Sequence, residues 1–308
     1  MRAYELVADG LRFPEGPVVM ADGSVILTEI EAGRVTRCYP DGRKVVVAET
    51  GGGPNGLAFG PDGKLYCCNN GGFQWMEMPG LLVPGALAED YAGGSIQRID
   101  IDTGQVETIY RSGDHGVTLR GPNDIVFDDH GGFWFTDHGK IDLVNRTHDI
   151  VGVFYAKTDG SFIEEVIFPS QNPNGIGLSP DGKTLYVAES YTCRLMRFNV
   201  VAPGKTDGAM GPGGPGEHLY RPAGYKFFDS LGMEAEGNIV VATIGEAGFS
   251  VVSPQGELVE FVQTDDLYTT NIAFGGPDMR DAYATLSSTG RLVKLRWDRA
   301  GLILPNSR

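Results

Sequence analysis

Six polar residues recur at one position of a repeated motif: Glu15, Asn55, Asn123, Asn174, Asp229 and Thr270. All carry oxygen donors, and none is Cys or His. Two carboxylates and three carboxamides brought to one place would be costly to desolvate without a partner. A divalent cation is such a partner, and two carboxylates neutralise its charge. Oxygen-only ligation favours a hard ion, so Ca²⁺ is expected, with Mg²⁺, Mn²⁺ and Zn²⁺ as alternatives. Taken singly, each asparagine reads as an ordinary turn residue. The carboxylates at the same position of the first and fifth repeats tip the balance towards a metal.

The surrounding segments explain how residues so far apart could meet. Around position zero stand Phe13-Pro14-Glu15-Gly16-Pro17, Pro54-Asn55-Gly56-Leu57-Ala58-Phe59, Pro122-Asn123-Asp124-Ile125-Val126-Phe127 and Pro173-Asn174-Gly175-Ile176-Gly177-Leu178. Asp229-Ser230-Leu231 opens the fifth repeat. In the sixth, the register of Ala273-Phe274 against Ala58-Phe59 places Thr270 rather than Asn271 at position zero. Apolar residues at positions two and four alternate as in a strand. A glycine at position eight (Gly23, Gly63, Gly131, Gly182, Gly237) completes an Asp-Gly-like turn. A second apolar strand follows, and further strand candidates fill each repeat: Ser95–Ile101, Gly152–Ala156, Arg194–Asn199, Phe249–Val252 and Arg291–Trp297. No stretch shows a sustained helical period.

Six such repeats of about four strands predict an all-β fold, a six-bladed β-propeller spanning 1–308 as one domain. The ring should close by pairing a strand near Tyr4–Val7 with the last blade, which removes exposed edges. In this fold, position zero becomes a ring at one mouth of the central channel. The second strand returns to the same face near Glu29, Asn69, Asp137, Glu189 and Thr243. The loops after these residues should lie over the ring. The longest, Asn70–Gly94, holds Phe73, Trp75, Met76 and Met78 and reads as a substrate lid or wall, or as an outer loop packed on neighbouring blades. Other top loops carry His138, Tyr191 and Glu246. The connections His115–Gly121 and Val201–Gly224 are expected on top as well.

Composition narrows the function classes. Lys plus Arg is 25 against 40 Asp plus Glu, a net charge of −15. That disfavours nucleic acid and anionic membrane surfaces as partners. No run of 18 apolar residues exists, which disfavours a transmembrane helix. The first residues lack the apolar core of a signal peptide. Cys38, Cys67, Cys68 and Cys193 show no zinc-type pairing and read as buried, reduced thiols of a cytoplasmic protein. Glycine, 45 of 308 residues, falls between apolar runs and marks turns rather than disorder. The nucleophile-elbow, HExxH, P-loop and EF-hand patterns are absent.

At these motifs the chain resembles the SMP-30/gluconolactonase/luciferin-regenerating-enzyme family. Phe13-Pro14-Glu15-Gly16-Pro17, Gly121-Pro122-Asn123-Asp124 with Phe135-Thr136-Asp137, Pro173-Asn174-Gly175 with Ser179-Pro180-Asp181-Gly182, and Asp229-Ser230-Leu231 carry the resemblance. It implies a six-bladed propeller with one catalytic divalent metal at the channel mouth. It further implies Glu15, Asn174 and Asp229 as ligands, Asn123 as a ligand or a contact to substrate and water, and Asp229 also as general base. Sugar lactones are the usual substrates of the family, and relatives with the same site hydrolyse organophosphates. Two departures bear on the substrate. Regucalcin-type members carry an arginine two residues before the asparagine, whereas Arg120 stands three before Asn123. His138 follows Phe135-Thr136-Asp137 where a proline is common.

The resulting expectation is a metal-dependent lactone hydrolase. The metal acts as Lewis acid on the lactone carbonyl, and Asp229 takes a proton from the attacking water. Trp75, Arg120, Tyr191 and His138 contact the substrate. Phosphotriester hydrolysis at the same metal is the enzymatic alternative. A non-catalytic propeller binding Ca²⁺ or a protein is the alternative from another class, though a scaffold has no need of carboxylates at position zero.

Overall fold

A computed structural model describes residues 3–142, 144–211 and 213–308. Its main strands form six antiparallel four-stranded blades around one channel. Blade 1 runs Pro14–Val19, Val25–Glu29, Arg34–Cys38 and Lys44–Glu49, from the channel outwards. Blade 2 is Pro54–Phe59, Leu65–Asn69, Ser95–Ile99 and Val106–Arg111. Blade 3 is Pro122–Phe127, Gly132–Asp137, Val151–Lys157 and Ile163–Ser170. Blade 4 is Pro173–Leu178, Thr184–Glu189, Arg194–Ala202 and Glu217–Tyr220. Blade 5 is Phe227–Met233, Ile239–Ile244, Gly248–Val252 and Leu258–Gln263. Blade 6 is Thr269–Gly275, Asp281–Leu286 and Arg291–Arg296, and its outer strand is Tyr4–Ala8 from the other end of the chain. The expected closure of the ring is therefore present. Among the described residues the only helical element is a three-residue 3₁₀ turn, Asp114–Gly116.

The apolar alternation works because each blade is covered on both faces by its neighbours. Tyr66, Phe127, Phe133, Phe135 and Phe154 pack between blades 2 and 3. Phe249, Leu295 and Trp297 pack between blades 5 and 6. Leu27, Tyr283 and Leu292 join blade 6 to blade 1. A fully buried aromatic or aliphatic side chain contributes about 1.5–3 kcal/mol, so the seams between blades hold the ring shut. The four cysteines are buried and unpaired within this packing. The position-eight glycines all have positive φ, from 67° to 94°, as the tight turn requires.

Each inner strand carries one register irregularity, always beside position zero: Glu15/Val18, Pro54/Leu57, Pro122/Ile125, Pro173/Ile176, Phe228/Leu231 and Thr269/Asn271. Ile272 then pairs with Ala284 as Ile125 pairs with Phe135, which sets Thr270 at position zero. A bulge re-aims side chains, and here it turns position one, as well as position zero, towards the channel. Position one is Gly16, Gly56, Asp124, Gly175, Ser230 and Asn271. The glycines have a local cause. A Cβ on Gly16 would stand 2.3 Å from the Asn55 carbonyl oxygen, and one on Gly56 would stand 2.6 Å from that of Asn123.

Two segments differ from the sequence reading. Residues 70–94 are not an open loop: Phe73–Met78 and Leu81–Leu87 pair as a hairpin. Residues 201–203 do not lie over the ring. The third strand of blade 4 runs on to Ala202, and Val201–Pro203 sit with the bottom turns at Asp129-His130 and Asp181-Gly182. Glu217–Tyr220 then climbs back as the outer strand, because its backbone satisfies the edge left by Leu195–Arg197.

Candidate active site

The position-zero side chains converge at the upper mouth of the channel, on the floor of a cavity of about 580 Å³. Glu15, Asn55, Asn123, Asn174 and Asp229 all line it. Glu15 and Asp229 are 3% and 9% exposed. Thr270 is buried at the same level, but its hydroxyl is engaged with Thr285 and Ser287 inside blade 6.

Local bonds hold the floor in place. Glu15 Oε2 accepts from the Gly16 amide and from Asn271 Nδ2, both at 2.8 Å. Asn174 Nδ2 donates to Ser190 Oγ at 3.2 Å, which leaves its Oδ1 facing Ser230 Oγ at 3.5 Å. Thr28 and Thr136 donate to the backbone carbonyls of Asn55 and Asn174 in the next blade, at 2.9 and 2.5 Å. Position zero is thereby fixed between blades rather than by its own strand alone.

Electrostatically, the floor lacks a cation. Burial raises the Glu15 carboxyl. Burial first, and the Glu15 charge second, raise Asp229 well above the usual carboxylate range. Asp124, at position one, is pushed up to about 8 by the same two causes in the same order. Carboxylates crowded this way hold protons unless a cation replaces them. Among the described residues no group of three or more His, Cys, Asp or Glu side chains stands in metal-binding proximity. The set here is instead two carboxylates with carboxamide oxygens. One observation fits it to a hard cation: Asn123 Oδ1 is buried and has no hydrogen-bond donor. An acceptor left bare beside two mutually repelling carboxylates suits an oxygen-preferring ion such as Ca²⁺.

The walls come from the top loops. Phe13 and Ile30 of blade 1, the hairpin residues Phe73, Trp75, Pro84 and Leu87, and Tyr268 form one side. Trp75 lies 5.1 Å from Phe13, ring centre to ring centre, and 6.2 Å from Phe73. The backbone amide of Leu82 donates to the Ser288 carbonyl, so the hairpin from blade 2 reaches blade 6 across the mouth. His138, Tyr191, Tyr225 and Phe227 form the opposite side. Tyr191 stacks edge-on against Phe227 at 4.9 Å and meets His138 at 6.0 Å. Burial pushes His138 down to about 4, so it is a neutral imidazole, and its Nδ1 has no partner.

The sequence-derived residues divide as follows. Glu15, Asn123, Asn174, Asp229, Trp75, Tyr191 and His138 all line one cavity. Arg120 does not. Its side chain is 50% exposed and faces Asp149 at 3.6 Å. It borders a separate hollow with Asp137, His148 and Glu165. Glu29, Asp137 and Glu189 turn away from the channel and tie down loops. Asp137, for example, accepts from the amides of Arg120, Gly121 and Gly139 at 2.7–2.8 Å. The sequence reading missed Asp124 and Asn271, whose signal was adjacency to position zero, and Lys140, which had no signal beyond a lone basic residue in a top loop. Lys140 is the only Lys or Arg on the cavity wall among the described residues.

Comparison with known proteins bears on the family and the fold. The family model for the SMP-30/gluconolactonase/LRE-like region matches residues 13–288. A lactonase drp35 of Staphylococcus haemolyticus is 30% identical over 250 residues, covering 80% of this chain and 68% of that protein. A solved regucalcin from Agrobacterium tumefaciens, described as calcium-binding, superposes with a TM-score of 0.76 at 20% identity, over 100% of this chain and 98% of its own. A gluconolactonase from Xanthomonas campestris gives 0.73 at 21% identity, over 94% and 88%. At these identities the two structures establish the fold.

Proposed function

The chain belongs to the SMP-30/gluconolactonase/LRE-like family, and on that premise we propose that it hydrolyses lactones, sugar lactones foremost, with one divalent metal at the channel mouth. The observation that carries the metal is the buried, donor-less Asn123 Oδ1 beside two carboxylates raised by burial, Asp229 further by the Glu15 charge. Glu15, Asn174 and Asp229 hold the ion, and Asn123 either completes the set or holds the water next to it. Ca²⁺ is the ion best matched to this donor set. Bound there, a divalent ion supplies Lewis acidity to the ester carbonyl.

The chain's own residues do the rest. Asp229, ionised once a cation is present, accepts the proton of the attacking water. Asn123 orients that water or the carbonyl through its free amide oxygen. Neutral His138 accepts a substrate hydroxyl at Nδ1. Tyr191 and Trp75 flank the ring and exclude bulk water from the floor. Arg120, facing outwards in this conformation, takes no part. The experiment is a panel of lactones followed with a pH indicator, on metal-stripped and Ca²⁺-loaded protein. Turnover that appears only with metal supports the reading, and a loaded protein inert towards every lactone overturns it.

A further inference from the structure

Lys140 is a buried lysine with no counter-ion. It is 6% exposed, and no carboxylate among the described residues comes within ion-pair distance of its Nζ. The ammonium donates instead to two neutral oxygens, Asn70 Oδ1 at 3.1 Å and the Gly72 carbonyl at 3.0 Å. It also lies 3.5 Å from the centre of the Phe73 ring. Asp137 and Asp149 act on it only at longer range. Burial without a matching charge pushes Lys140 down to about 7, the signature of an ammonium whose lost hydration is incompletely replaced.

Its neighbour is short of a partner too. Asn70 Oδ1 accepts from Lys140 Nζ and from the Gly72 amide at 2.8 Å, and those two donors fix which end of the carboxamide is oxygen. The other end, Asn70 Nδ2, is buried with no acceptor. Lys140, whose charge meets only neutral partners, lines the cavity above the acidic floor, whereas Asn70, bonded to it, stands outside the cavity lining. A buried ammonium with no matching charge is costly, and one at the edge of a cavity marks where a ligand anion belongs.

We propose that Lys140 Nζ forms a carboxylate-recognition site on the cavity wall, so that the preferred lactone carries a free carboxylate besides its ring ester. This rests on the lactonase reading and names its substrate class. A carboxylate suits the site better than a phosphate group. One lysine faces it, and Glu15 and Asp229 on the floor repel a second negative charge. The carboxylate supplies the missing counter-ion and anchors the substrate by the wall while the ester lies on the floor. Hydrolysis then adds water across the ester, releasing a hydroxy-dicarboxylate.

The test compares D-glucaro-1,4-lactone, which carries the carboxylate, with the neutral D-glucono-1,5-lactone on Ca²⁺-loaded wild type. The expected ratio of kcat/KM favours the carboxylate probe by about tenfold or more. In Lys140→Met this ratio collapses through KM, and in Asn70→Ala it narrows. A wild type without the preference overturns the proposal. So does a Lys140→Met variant that lowers both probes equally, since a lysine that merely ties the loop at 70–73 would leave the ratio intact. The wild-type preference needs no variant to fold. Calorimetric titration with D-glucuronate, which carries a carboxylate, and neutral D-glucose gives the same discrimination without turnover. If neither lactone is hydrolysed, the lactonase reading fails while the binding ratio still decides on Lys140.

Discussion

Asn271 and Glu15 are 256 positions apart, and the Asn271 amide donates to Glu15 Oε2 at 2.8 Å across the seam where blade 6 meets blade 1. The bond ties the closure of the ring to the centre of the candidate site. Glu15 Oε2 also takes the Gly16 amide, and the Thr270 hydroxyl faces the same carboxylate. The first and last repeats thus hold one candidate ligand between them, and anything that opens this seam should weaken metal binding before it unfolds the blades.

Glu15→Gln keeps an oxygen donor and the shape but removes a negative charge. Calcium affinity should fall by about tenfold or more, given charge-assisted ligation, while thermal stability of the metal-free protein stays level or rises as a buried charge is lost. Calorimetric titration reads the first and a melting curve the second. Wild-type affinity in this variant would remove Glu15 from the ligand set.

Asp229→Asn separates ligand from base. With enough metal to saturate the site, kcat should still be lower by about 10²–10⁴-fold. Recovery of most of the kcat at high metal would leave Asp229 as a ligand only.

The metal-free protein should lose stability as pH rises from 5 to 7. Glu15, Asp124 and Asp229 all have folded values raised above the unfolded ones, Asp124 to about 8. The folded state therefore binds more protons in this range, and each such group lowers stability by up to about 1.4 kcal/mol per pH unit. Asp137, raised to about 6, and Glu165, raised to about 7, add to this trend, while His138, lowered to about 4, and Lys140, lowered to about 7, work the other way, two groups against five. Calcium should flatten or reverse the slope by replacing the protons, and its apparent affinity should climb with pH. Melting temperatures across this range with and without Ca²⁺ provide the check, and a flat metal-free profile would argue that the floor is already ionised.

Gly16→Ala tests the contact between blades 1 and 2. The residue has φ of 54°, and the new Cβ would meet the Asn55 carbonyl oxygen at 2.3 Å. Strain in both backbone and packing should cost about 2 kcal/mol or more, with metal affinity reduced as well because Glu15 and Asn55 move with it. Gly42→Ala, at a φ of 83° with open space around it, gives the cost of the backbone alone. Equal losses in the two variants would show that the blade contact contributes nothing.

Much of the molecule was legible because a propeller repeats one local instruction. Apolar alternation and a polar residue at one register position recur six times, a position-eight turn glycine with positive φ five times, and each is decided within about fifteen residues. Stacking blades side by side then converts equal register into equal height, so Glu15, Asn123, Asn174 and Asp229 could be brought to one floor by counting along the chain. What counting could not reach depends on contacts between segments. The bulge beside position zero exists to fit neighbouring inner strands together, and it alone turns Asp124 and Asn271 inwards. Arg120 was placed by its distance from Asn123, but Asp137 draws the backbone amides of residues 120 and 121 to itself and leaves the side chain facing Asp149 outside the cavity. Lys140 enters the wall because the loop after blade 3's second strand meets the 70–73 segment of blade 2. A strand's side-chain direction follows from its pleat, whereas a loop's follows from whatever packs against it, and that partner is known only when the ring is complete.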